Sequence, residues 1–209
     1  MGRRVIVGLG NPGPRYARTR HNVGFDVAHR VVAATGALPL RSGSESWAAW
    51  LGAPALAGAD GLSLAIVTPL RFMNRSGEAL AEFRRSFDFA PADCLVVVDD
   101  VYLPLGRIRL RAGGSPGGHN GLASVTAAFG SGDFPRLRIG VGGVETAARL
   151  AEHVLSGFDD DEQQTLSAVL DRSAEAALAW ASDGITAAMN RYNVPAPDAR
   201  DEQAPRGER

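Results

Sequence analysis

The sequence predicts a single α/β domain in which helices flank a twisted, largely parallel β-sheet. Three observations carry this expectation. Cys94–Val98 is an unbroken apolar run, as a strand covered on both faces requires. Strand-like and helix-like segments alternate along the chain instead of clustering. The 209 residues, 45% of them hydrophobic, suffice for one good core, so one domain is the natural count.

Val5-Ile6-Val7 reads as a short buried strand, and Gly8 to Asn22 as a long loop at its C-terminal end. Ligands bind at that edge in open α/β sheets. The loop carries an amide, Asn11, and an imidazole, His21. Five arginines (3, 4, 15, 18 and 20) meet no acid before Phe25, which points to an anionic or phosphate-bearing substrate. Gly8, Gly10 and Gly13 also match a dinucleotide fingerprint. That reading fails on two counts. Pro12 and Pro14 delay the helix, and no acid stands about twenty residues on, where Thr35 to Leu38 lie.

Asn22 is placed to cap a helix running to about Ala34, with Gly36 just beyond it. His29 on that helix reads as structural or exposed. Trp47–Leu51 and Leu62–Thr68 read as strands joined by a turn at Gly58–Gly61. After Pro69, a helix begins near Ser76 and runs to about Phe87, which leaves Asn74 in the loop before it. Phe72 and Met73 read first as packing residues.

Cys94–Val98 ends abruptly in Asp99-Asp100. Adjacent strand positions point to opposite faces, so one acid is expected at the site and the other in solvent. A carboxylate bonded to an imidazole would fix its tautomer. Arg107-Ile108-Arg109-Leu110-Arg111 alternates as a strand with three guanidiniums on one face, a pattern suited to phosphates. Gly113, Ser115 and Gly117 resemble a serine-hydrolase elbow, but Pro116 has no N–H for an oxyanion hole, which excludes it. His119 and Asn120 precede a helix over Leu122–Phe129, the first read as loop packing and the second as a cap. Phe134–Gly142 is a further strand with two arginines on one face. A short helix follows over about Ala147–Val154, with His153 read as structural or exposed. A longer one follows from Asp159 to about Ala181, with a turn or two at Thr186–Tyr192. The domain is expected over residues 1–193, and residues 194–209 as a disordered tail.

Charge divides unevenly. Residues 1–144 hold 16 arginines against 10 acids, and residues 145–209 hold 6 against 13. All 22 basic residues are arginine, so phosphate contacts would fall to guanidinium, backbone N–H or polar side chains. Cys94 is the sole cysteine, so no internal disulfide forms. No secretory signal and no run of ~20 apolar residues is present. The expected setting is the cytoplasm, away from membranes. No C-x-x-C motif and no metal-ligand spacing of histidines and carboxylates stands out.

The polar set is therefore Asn11, His21, Asn74, Asp99 and Asn120, all at predicted strand ends or loops. One imidazole, one carboxylate and three amides describe a site that activates water and holds a carbonyl. Hydrolysis of an activated carbonyl such as an ester fits it.

Gly8-Leu9-Gly10-Asn11-Pro12-Gly13, Thr19-Arg20-His21-Asn22-Val23-Gly24, Phe72-Met73-Asn74-Arg75-Ser76-Gly77, Val98-Asp99-Asp100, Gly117-Gly118-His119-Asn120-Gly121-Leu122 and Phe134-Pro135-Arg136-Leu137-Arg138-Ile139-Gly140 occur together and in order. This set resembles the bacterial peptidyl-tRNA hydrolase family over roughly residues 4–192. The resemblance implies a monomeric single α/β domain with a mixed sheet, no metal or cofactor, and cleavage of the ester joining a peptide to the tRNA 3′ ribose. It implies His21 as the base for water and Asp99 as its orienting partner. Asn11 and Asn74 would bind the peptide and the 3′ end, and Asn120 would position water or the oxyanion. Tyr16 and Met73 would line the peptide groove. Arg109, Arg111 and Arg138 are expected on tRNA phosphates, and Gly113–Gly118 as a mobile flap beside the acceptor stem.

Two positions depart from the family pattern. Tyr102 stands where an acid is common, and Pro116 stiffens the glycine-rich loop. Relatives on this fold that act as RNA-splicing cofactors in plastids offer a non-catalytic alternative, but no transit-like N-terminus is present. A nucleotide-dependent oxidoreductase would need an acid after the second strand, which is lacking.

Overall fold

Among the described residues seven strands join in one sheet: β1 (Arg3–Gly8), β2 (Leu38–Pro39), β3 (Trp47–Gly52), β4 (Ser63–Pro69), β5 (Cys94–Asp100), β6 (Ile108–Arg111) and β7 (Arg136–Gly140). The helices are α1 (Val23–Thr35), α2 (Ser76–Ser86), α3 (Asn120–Phe129), α4 (Leu150–Val154) and α5 (Gln163–Tyr192). These come from a computed structural model that describes residues 3–40, 44–52, 63–143 and 149–194. The expected turn at Gly58–Gly61, the start of the helix at Ala147 and the tail from Pro195 lie outside the described residues.

The strand order is β2-β3-β4-β1-β5-β7-β6. The four central strands, β4, β1, β5 and β7, run parallel, and β3, β2 and β6 are added antiparallel at the two edges. The sheet is thus mixed with a parallel core. From β1 the chain crosses through α1 toward β4, and from β4 it crosses back through α2 to β5, on the other side of β1. Right-handed crossovers in opposite directions put α1 and α2 on opposite faces of the sheet. A crevice opens where their paths diverge, outside the C-terminal ends of β1, β4 and β5.

Two cores fill the faces with the period of two that strands dictate. Ile6, Ile66, Leu95, Val97 and Leu137 meet Val27 and Val31 of α1 and Trp180 of α5. Val5, Val7, Val67, Val96 and Val98 meet Leu80 and Phe83 of α2 and Leu122 of α3. The run at Cys94–Val98 is fully buried, as its composition requires.

Helix α1 spans the expected residues, and Gly36 closes it in a left-handed conformation (φ 61°) with its N–H on Val32 O. Asn22 flanks α1 but makes no capping bond, contrary to expectation, because its amide is used elsewhere. Close approach fixes where α1 starts. A Cβ at Gly24 would lie 2.4 Å from Leu9 O, and one at Gly8 would lie 2.1 Å from Gly24 O. Only glycines let α1 rest on the end of β1, and this carries His21 to the strand ends.

Helix α3 starts earlier than predicted, at Asn120, and its N-cap is His119. The long C-terminal helix is α5, broken at Gly184 (φ 83°), which reconciles the expected end near Ala181 with the added turns to Tyr192. The outer edge of β6 is closed by Asn193, whose Oδ1 accepts from Leu110 N–H (2.7 Å) and whose Nδ2 donates to Leu110 O (3.1 Å). Of the structural histidines, His29 packs edge-on to Trp50. His153 Nε2 lies 3.0 Å from the Gly142 carbonyl.

Candidate active site

Asn11 leaves the end of β1 and is held from three directions. Its backbone N–H donates to Asn22 Oδ1 (2.8 Å), and its carbonyl accepts from Asn22 Nδ2 (3.0 Å). Its own Oδ1 accepts from the backbone N–H of Met73 (2.8 Å), in the turn after β4. The oxygen is thereby spent, and the Nδ2 donors of this buried amide have no protein partner among the described residues.

Asp99, near the end of β5 and 3% exposed, receives two imidazoles on one oxygen. His21 Nδ1 lies 2.7 Å and His119 Nε2 3.0 Å from Asp99 Oδ1. The tautomers follow from the partners. Leu122 N–H donates to His119 Nδ1 (3.2 Å), so the His119 proton sits on Nε2 and is donated to Asp99. His21 donates from Nδ1, which leaves the Nε2 lone pair free to act as a base. Burial pushes the Asp99 carboxyl up, but the imidazoles of His119 and His21 outweigh it and hold the group well below the usual carboxylate range. Asp99 is an anion held between two N–H donors.

The potential ligand atoms of these three side chains also lie within 4.8 Å of one another. Coordination through His119 Nε2 would force its proton onto Nδ1, against the Leu122 N–H. The local hydrogen bonding fits protons better than a metal ion.

Asp100 does not turn into solvent but borders the same cleft as Asp99. It is 6% exposed: its Oδ2 accepts from Arg138 Nη1 (3.1 Å) and its Oδ1 from the Tyr102 backbone N–H (2.9 Å). The expectation of a solvent-facing acid fails because Arg138 on neighbouring β7 covers it. Arg138 also donates to the Pro116 carbonyl (3.0 Å), and buried Arg136 donates to Gly114 and Gly132 carbonyls (2.7 Å each). The glycine-rich loop is tied to β7 by guanidiniums.

A cleft of about 480 Å³ joins these groups. Asn11, His21, Met73, Asn74, Asp99, Asn120 and Arg138 border it, together with Phe72, Tyr102 and one side of α4. Tyr16 does not border it; its ring packs edge-on to Phe72, 6.1 Å between centroids, and so backs the cleft wall. Arg109 and Arg111 stand exposed on β6, outside the cleft. Arg20, in the loop beside His21, pairs with Glu162 (2.6 Å) and Val141 O (2.8 Å), which anchors the loop to the start of α5. His119 is the member that sequence reasoning misses. The available signal is an imidazole placed where a new helix exposes its N–H groups.

The peptidyl-tRNA hydrolase family model matches residues 5–202. The chain belongs to the peptidyl-tRNA hydrolase family. A family member from Symbiobacterium thermophilum is 44% identical over 191 residues, covering 91% of this chain and 99% of the relative. Another, from Chloroflexus aggregans, is 43% identical, covering 90% and 98%. The crystal structure of peptidyl-tRNA hydrolase from Acinetobacter baumannii superposes with a TM-score of 0.83 at 31% identity, over 92% of this chain and 95% of that one. Sheet and family agree with the ordered motifs, and nothing in these relatives favours the splicing-cofactor alternative.

Proposed function

We propose that this enzyme hydrolyses the ester between a peptide and the 3′ ribose of tRNA, with His21 as general base and Asp99 as its orienting carboxylate. The observation that carries the assignment is the shared Asp99 oxygen, which fixes the His21 proton on Nδ1 and leaves Nε2 basic.

His21 Nε2 takes a proton from water as the water oxygen bonds to the ester carbonyl carbon. The tetrahedral oxyanion meets amide donors from Asn11 and Asn120. As the bond from carbon to the ribose O3′ breaks, the proton on His21 Nε2 passes to that oxygen. The products are a free peptide carboxylate and a free 3′ hydroxyl, and the released proton goes to solvent. Asp99 stays ionised throughout. A positioned base contributes roughly 10²–10⁴-fold and an oxyanion donor on the order of 3 kcal/mol.

Asn74 and Met73 hold the peptide in this reading, with Tyr16 bracing the wall through Phe72. Arg109 and Arg111 take tRNA phosphates, and Arg138 adds its cation from the cleft rim. The chain works as a cytoplasmic monomer through residues 1–193. Among the described residues no helix is long and apolar enough to cross a membrane.

The test is release of the acyl group from N-acetylaminoacyl-tRNA and from unblocked aminoacyl-tRNA. Cleavage of the blocked substrate alone, lost in a folded His21→Ala protein, supports both reaction and base. Cleavage that survives His21→Ala overturns the mechanism; tRNA binding without cleavage by the wild type overturns the activity.

A further inference from the structure

We infer that Tyr102 is a specificity-determining residue that stacks on the terminal adenine of the tRNA substrate. The inference rests on the ester-hydrolase reading of the same cleft. Tyr102 borders the cleft with its side chain largely in solvent (73% exposed). Neither its hydroxyl nor its ring has a protein partner among the described residues, whereas Phe72, which borders the same cleft, already packs against Tyr16. Its backbone, by contrast, is fixed, because the N–H of Tyr102 donates to Asp100 Oδ1 and Asp100 Oδ2 accepts from Arg138. An aromatic ring carried on a fixed backbone and left open to solvent suits a stacking platform.

Which arm of the substrate it meets follows from the chemistry of the two ends. An ester held at His21 must send peptide and nucleotide away from the carbonyl in different directions. Asn74, beside the oxyanion donors Asn11 and Asn120, supplies an amide that matches peptide groups. Tyr102 is assigned to the other arm because it is tied through Asp100 to Arg138, which stands directly opposite Arg109 in the β6–β7 register. A row of cations leading to an exposed ring fits phosphates leading to a base. Leu150 and Val154 of α4 border the same cleft and give an apolar wall for the other side of the purine.

The experiment uses N-acetylphenylalanyl-tRNA ending in adenosine and the same tRNA with an abasic terminal ribose, hydrolysed by wild type, Tyr102→Phe, Tyr102→Ala and Tyr102→Asp. Stacking predicts that Tyr102→Ala and Tyr102→Asp raise KM roughly 5- to 100-fold on the adenosine-ended substrate, with kcat within about twofold. Tyr102→Phe retains wild-type KM. On the abasic substrate, wild type and Tyr102→Ala converge. Equal KM for wild type and Tyr102→Ala on adenosine-ended tRNA overturns the inference, as does an equal loss on both substrates. A loss that follows the acyl group when acetylglycine replaces acetylphenylalanine assigns the ring to the peptide instead. A wild type inert on every blocked tRNA would instead overturn the hydrolase reading, which separates the two failures.

Discussion

His119 donates its Nε2–H to Asp99 Oδ1 at 3.0 Å, on the same oxygen that His21 uses at 2.7 Å. A neutral amide serves these two donors more weakly, because Asn at 99 offers an oxygen without the carboxylate charge, and its NH₂ can turn toward an imidazole N–H and repel it. Asp99→Asn should let His21 turn its proton to Nε2, where it no longer acts as base. The expected result is a kcat lowered roughly 10²–10⁴-fold with KM within a few-fold. Steady-state cleavage of a blocked aminoacyl-tRNA, with circular dichroism to confirm the fold, checks this.

The same pair bears on acid stability. The folded Asp99 carboxyl titrates below its unfolded value of about 4, so it contributes stability that is present above that pH. That contribution is lost as pH falls toward the depressed folded value. Wild-type Tm should therefore drop steeply below about pH 4, and the Asp99→Asn protein should start lower at neutral pH but decline less steeply there. Parallel Tm profiles for the two proteins would contradict this.

Asn22 gives a third prediction because its amide braces Asn11 rather than the helix. Asn22→Ala strands a buried N–H and C=O of Asn11 and should cost about 1–3 kcal/mol. Asn22→Asp and Asn22→Ser, both good N-caps, should not rescue it. Aspartate would set a second oxygen against the Asn11 carbonyl. Chemical denaturation of the three variants ranks them, and recovery in Asn22→Asp would return Asn22 to a capping role.

What can be read from sequence follows the range of each interaction. Leu95-Val96-Val97-Val98 running into Asp99 announces a buried strand with an acid at its tip, wherever β5 sits in the sheet. Loop glycines, the Asn11–His21 spacing and the start of α2 are likewise local. Asn22 escapes a local reading because its partner lies eleven residues back, across a loop whose path the sequence does not reveal. His119 escapes it because its role needs Leu122 N–H on one nitrogen and Asp99, twenty residues away, on the other. Strand alternation predicts a solvent-facing Asp100, whereas both acids border the cleft and only the β5–β7 register shows Arg138 covering the second.

The exposed arginines of β6 predict a salt effect. Arg109 and Arg111 have no protein partner among the described residues and flank no acid on their strand. Arg109→Gln and Arg111→Gln should each raise KM for tRNA esters a few-fold at low salt. Each should also flatten the dependence of log(kcat/KM) on log salt by about one unit, as one lost phosphate contact does. A short ester substrate without the tRNA body should be cleaved equally by all three proteins.

Asp26, in the first turn of α1, carries the opposite electrostatic sign from Asp99. Burial pushes its carboxyl up, and His29 and Arg30 only partly offset this. The folded state therefore holds the Asp26 proton more tightly than the unfolded chain does. Its contribution to stability is present below the unfolded value of about 4 and is lost as pH rises through the raised folded value. At neutral pH the ionised group is a liability, opposed by a favourable interaction of a few tenths of a kcal/mol with the helix N-terminus. Asp26→Asn removes the titration, so the gain in Tm over wild type should be larger at pH 7 than at pH 4. Thermal melts at the two values decide it. A gain confined to pH 4 would mean that the helix terminus, and not burial, governs this carboxylate.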